Sequence, residues 1–104
     1  MKNLDELAER CEKENIQYAY GVFQEPISPP HLVALETETD NFGADNIVFY
    51  KKNPIQLDLT MDYINFDLIN KVENKILYDI YWNKTEPTYL SDEKIWQVSY
   101  FFEI

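Results

Sequence analysis

The spacing of apolar residues changes along the chain, and each change marks an element. Leu4, Leu7, Ala8 and Cys11 recur at i, i+3, i+4 and i+7 with charged residues between them, which is the stripe of an amphipathic helix. Asn3 followed by Glu6 resembles a capping box with asparagine as its cap, so a first helix is expected over residues 4–14. "IQYAYGVF" (16–23) is aromatic without helical spacing and reads as a strand. Pro26, Pro29 and Pro30 then forbid regular ladder bonding and call for an extended, stiff approach to the next strand. "HLVALET" (31–37) and "NIVFYKK" (46–52) are short β-type runs. In "IQLDLTM" (55–61), Ile55, Leu57, Leu59 and Met61 alternate with Gln56, Asp58 and Thr60, which predicts one buried and one wet face. Asn65 can cap a second helix, since Phe66, Ile69, Val72 and Ile76 follow at helical spacing with Leu68 widening the stripe. "LYDIYWNK" (77–84) and "EKIWQVSYFFEI" (93–104) return to strand character, with "YLSDE" as the turn before the last strand.

Helix, four strands, helix and two strands predict an α+β domain, a single mainly antiparallel β-sheet with two α-helices packed on it. The 104 residues form one expected domain, with 45% hydrophobic and 15% aromatic residues as core material. Nineteen acids against nine bases give a net charge of −10, which disfavours gripping phosphate backbones or anionic membranes. Cys11 stands alone and has no internal disulfide partner. No stretch approaches a membrane span, and the charged start lacks the apolar centre of a signal peptide. An intracellular bacterial or viral protein is expected, in which the sequon Asn83-Lys84-Thr85 carries no sugar.

Chemistry has few candidates. His31 is the only histidine, and after two prolines it reads as an exposed or satisfied residue at a strand end rather than a catalytic base. Cys11 sits on the helix stripe among acids, which suits a core position better than a reactive thiol. "DNFGADN" (40–46) fails as a calcium loop: counted from Asp40, the third position is Phe42, the twelfth is Lys51, and the glycine falls fourth. With glycine only at 21 and 43, there is no phosphate-cradling loop, and no cysteine pair for zinc. No catalytic residue, cofactor or metal site is therefore expected. Tyr18, Tyr20, Tyr50, Tyr78, Tyr81 and Tyr100 could line a pocket or an interface, although aromatics also pack well in sheets. Phe42 differs, being an isolated aromatic in an acidic loop, the profile of an anchor for another chain.

Taken in order, the short helix, "YAYGVF", "SPPHLVAL", "TDNFGADN", "IVFYKK", "IQLDLTM", the amphipathic helix and "IYWNKTEPTYLSDEKIWQVSYFFEI" resemble the small tail-completion, or head-to-tail joining, proteins of long-tailed phages and prophages of Gram-positive bacteria. The resemblance covers nearly the whole chain and rests on order and spacing, since none of its motifs is catalytic. It implies a non-enzymatic structural subunit, monomeric when free and ring-forming on assembly. Its partners would be the head connector or stopper protein and the tail-tube protein. It would reside in the host cytoplasm during assembly and then at the tail-head junction of the virion. Glu38, Asp40, Asn41, Phe42 and Asp45 are the expected interaction residues, on a loop over 37–46 that would order against a neighbour. If that loop faced a ring lumen, its negative charge would let DNA slide past.

Two other classes compete. An acidic DNA mimic that inhibits a host defence nuclease would want carboxylates in phosphate-like rows, whereas here they are spread over 36–40, 58–62 and 92–93. A small enzyme or ligand-binding module would use a pocket of tyrosine and tryptophan, with Trp82 and Trp96 in the last two strands.

Overall fold

Helix α1 spans Leu4–Lys13, and its start is set by Asn3, whose Oδ1 accepts the Glu6 backbone N–H at 2.9 Å. That bond satisfies one of the donors that helix geometry leaves orphaned. The box is not reciprocal, because the Glu6 carboxylate accepts from the backbone N–H of Lys2 rather than of Asn3. The helix stops one residue short of the expected 14 because Asn15 turns left-handed, with φ at 57°. The Asn15 N–H donates to the Glu12 carbonyl at 3.0 Å and the Ile16 N–H to the Cys11 carbonyl at 2.9 Å. This is the Schellman arrangement, and its usual apolar contact is present as Ile16 and Cys11, both in the core.

The structure, a computed structural model, describes residues 1–37 and 52–104. After α1 the chain forms β1 (Gln17–Tyr20), β2 (His31–Glu36), β3 (Pro54–Met61), α2 (Phe66–Lys71), β4 (Trp82–Lys84), β5 (Thr88–Leu90) and β6 (Ile95–Glu103), with a π-helical turn, Val72–Ile76, continuing α2. The six strands make one mixed, mostly antiparallel sheet in the order β1-β2-β3-β6-β4, and β5 also pairs with β6. Only β1 and β2 run parallel, with Gln17 opposite His31 and Tyr20 opposite Ala34. The fold is thus α+β, with the two helices packed on the sheet as the apolar periods require.

Register sorts the side chains onto two faces, since successive residues of a strand point oppositely. Leu59 lies between Leu32 and Val98, Leu57 between Ala34 and Tyr100, and Ile55 opposite Phe102. All of these are buried and join Leu7, Cys11, Leu68, Ile69, Val72 and Ile76 from the helical layer. The opposite face carries Gln17, His31, Val33, Gln56, Asp58, Thr60, Gln97 and Ser99 by the same registers. Burying one such leucine stabilises by roughly 1.5–3 kcal/mol, so the alternation in β3 accounts for much of the choice of face.

Several sequence expectations shift. The first strand covers 17–20 instead of 16–23, because Gly21 leaves it at φ 80°. The second helix keeps its cap, the Asn65 Oδ1 accepting the Leu68 N–H at 3.1 Å, but it is α-helical only to Lys71, and Phe66 is 72% exposed rather than part of the stripe. Residues 77–81 form a turn, leaving a strand only at 82–84. The stretch taken as the turn "YLSDE" contains most of β5. Strands β4 and β5 together are one edge strand of the sheet, interrupted around Pro87, where an edge tolerates proline. Across the gap the Thr85 hydroxyl accepts the Ser99 N–H at 3.1 Å and the Thr85 N–H donates to the Ser99 carbonyl at 2.9 Å. The expected strand 46–52 lies outside the described residues except for Lys52, which is not in a strand.

Candidate functional site

The expected interaction residues Glu38, Asp40, Asn41, Phe42 and Asp45 lie outside the described residues. What is described is the base from which their segment departs. The Thr37 N–H donates to the Pro54 carbonyl at 2.9 Å, while Asn53 and Ile104 exchange backbone hydrogen bonds of 2.7 and 3.0 Å. Both ends of segment 38–51 are therefore fastened at one end of the β2, β3, β6 ladder.

Beside that base is an open groove of about 910 Å³ whose lining includes Thr37, Lys52, Tyr78, Tyr81, Trp82 and Phe101. Tyr81 projects fully into solvent, Tyr78 is 64% exposed and Phe101 40%. The turn that presents the tyrosines is held from behind. Leu77 is buried and its N–H closes on the Val72 carbonyl at 3.0 Å. Arg10 of α1 reaches across with a two-pronged contact to Asp79 at 2.7 and 2.9 Å, and donates to the Ile76 carbonyl at 2.8 Å. The same guanidinium bonds Glu6 at 3.1 Å and lies 4.4 Å from the centroid of the Tyr78 ring. The amino group of Met1 also pairs with Asp79. Hydrogen bonding to Arg10 holds the Asp79 carboxyl well below the usual carboxylate range. This clamp explains why 77–81 is a turn, since pairing these residues in a strand would break it.

A second polar knot sits under the edge strand. The buried Tyr100 hydroxyl donates to Glu73 Oε2 at 2.8 Å, and the Lys84 ammonium reaches the same oxygen at 2.7 Å. Trp82 packs edge-on against the Tyr100 ring at 5.5 Å, and the Lys84 ammonium is 5.8 Å from the Trp82 ring centroid. Burial, then the bond to Glu73, raises the Tyr100 hydroxyl above its ordinary value. The shared Glu73 oxygen thus pins the π-helical turn to β4 and β6.

On the sheet face away from the helices, His31 is half-buried, with its ring edge-on to Phe23 at 5.1 Å and its Nδ1 buried without a hydrogen-bond partner among the described residues. It is neither the exposed nor the satisfied residue that its place after two prolines predicts. Burial lowers its pKa, opposed in part by its own backbone. Nearby, Gln17 Nε2 ties the crossover to the sheet by donating to the Ser28 and Pro30 carbonyls, both at 3.0 Å. In the middle of the same face, Asp58 Oδ1 accepts from Ser99 Oγ at 2.6 Å and from Gln56 Nε2 at 3.0 Å. His31 stands opposite Thr60 rather than Asp58, and no bond links the imidazole to Ser99.

Burial pushes the Cys11 thiol up to about 12, so it stays protonated at neutral pH and is a core residue. Of the tyrosines, Tyr100 is core, Tyr20 accepts the Glu36 N–H at 3.1 Å through its hydroxyl, and Tyr78 and Tyr81 face the groove. Among the described residues no three His, Cys, Asp or Glu side chains are grouped to hold a metal, and no helix is long and apolar enough to cross a membrane. Sequence reasoning missed Arg10, Glu73 and Asp79 as the groups that shape this region, because their partners are far away along the chain. No protein-family model, curated protein or solved structure matches the chain.

Proposed function

We propose that the protein is a non-enzymatic subunit of a phage or prophage particle, completing the tail and joining it to the head connector by ring assembly. The observation that carries this reading is the place of the aromatic groove. Its rim holds Thr37 and Lys52, the residues that bound segment 38–51. The residues that flank the segment resembling that of joining proteins thus lie beside Tyr78, Tyr81 and Phe101, all exposed. Three exposed aromatics lining one groove have the composition of a contact surface that removes them from water. The order of "YAYGVF", "DNFGADN" and "EKIWQVSY" along the chain supports the same reading.

The DNA-mimic reading has less support. Asp58 Oδ1, Glu73 Oε2 and both oxygens of Asp79 are bonded to Ser99, to Tyr100 and Lys84, and to Arg10, which makes these carboxylates poor phosphate substitutes. In a host that makes the particle, deleting the gene is expected to leave filled heads and free tails side by side in electron micrographs. Adding the purified protein to that lysate restores joined particles. Joined particles in normal yield without the gene would contradict the role.

A further inference from the structure

We propose that the groove beside Tyr81 receives an extended, arginine- or lysine-bearing segment of a partner protein; this rests on the joining role and names the chemistry of the contact. The residues around it already hold two cations in the same way. Of the three aromatics between 78 and 82, Tyr78 has the Arg10 guanidinium at 4.4 Å from its centroid and Trp82 has the Lys84 ammonium at 5.8 Å. Each cation is also anchored by a carboxylate, Asp79 for Arg10 and Glu73 for Lys84. Aromatic face plus carboxylate is thus a pattern this region uses twice for its own side chains.

The third aromatic, Tyr81, is fully exposed, and no cation from the described residues lies over it. Glu103 lines the same groove, is exposed, and forms no ion pair among the described residues. Glu36, also exposed, stands at the end of β2 across from Ile55, another lining residue. Lys52 also lines the groove, so the local excess of negative charge is modest, but the chain as a whole carries −10. The groove is open to solvent rather than enclosed, as a peptide requires and a small metabolite does not. A guanidinium seated on Tyr81 within reach of Glu103 would repeat the Arg10 arrangement in trans, and the long-range field would speed its arrival.

The test uses the intact protein and a fluorescein-labelled decapeptide of alternating arginine and glycine, read by anisotropy at low salt. Tyr81→Ala and Glu103→Gln are each expected to weaken binding about two- to five-fold, and together about ten-fold. Glu12→Gln, which removes the same charge from the exposed side of α1, is expected to change it less than two-fold. Circular dichroism melts check that all variants fold. Equal losses from Glu12→Gln and Glu103→Gln would mean that only net charge attracts the peptide, and would overturn the site. A concentration-dependent self-association that Tyr81→Ala abolishes would overturn it in favour of a second copy as occupant. Co-sedimentation with connector and tail-tube proteins separates the two levels. A complex that forms normally with the Tyr81→Ala, Glu103→Gln double variant removes the groove while leaving the joining role. No complex with the unmodified protein removes the joining role, and the peptide titration then judges the groove alone.

Discussion

His31 shows how one side chain ties local chemistry to pH. Its half-buried ring packs edge-on against Phe23, with Nδ1 buried and unpartnered among the described residues, so the folded state resists protonation and its pKa falls below the ordinary 6.5. The unfolded chain binds a proton near 6.5, so as pH falls through that value the unfolded state is favoured, and the loss ends below the folded pKa. Stability from this residue is therefore full above about pH 7 and declines on the acid side. The urea midpoint is expected to drop between pH 7.5 and 5.5, and His31→Gln should flatten that drop. An unchanged slope in the variant would show that the imidazole is not the titrating group. The site of Cys11 was legible because its neighbours on the helix stripe are close in sequence. That of His31 was not, because Phe23 reaches it only through the crossover between two parallel strands.

At the scale of elements, the boundaries that sequence reasoning placed well are those set by local chemistry. Asn3 and Asn65 cap the two helices by bonds to residues three positions on, and β3 alternates buried and half-buried positions as far as Leu59, after which Thr60, expected on the wet face, is buried as well. Boundaries set by distant partners were lost. Residues 77–81 of the strand expected over 77–84 became a turn where Arg10, on α1, holds Asp79 and the Ile76 carbonyl, and only 82–84 pairs as a strand. The second helix changes to a π-helical turn where Glu73 bonds Tyr100 and Lys84. Asn15 is the testable case of a local terminator, since its left-handed backbone suits asparagine and glycine but not a β-branched residue. Asn15→Val is expected to cost about 1–2 kcal/mol in urea unfolding, and Asn15→Gly to be close to neutral. A neutral Asn15→Val would show that the Schellman closure contributes little.

For the whole molecule, one sheet buries its apolar face under two helices, and Tyr78, Tyr81 and Phe101 are exposed together beside the groove. The net charge of −10 makes copies of the chain repel one another. The fold class was legible from apolar periods alone. The groove was not, because it is built from a turn, a sheet end and an edge strand whose juxtaposition appears only in three dimensions. Phe42 and the acidic residues around it remain the sequence's own candidates for the contact and lie outside the described residues, whose nearest members, Thr37 and Lys52, line the groove. Sedimentation velocity of the pure protein, alone and then mixed with the tail-tube and head-connector proteins of the same particle, tests the joining role directly. The expected result is a monomer that shifts into a large complex in the mixture, with the shift reduced by Phe42→Ala. A protein that sediments as a monomer in every mixture would contradict it.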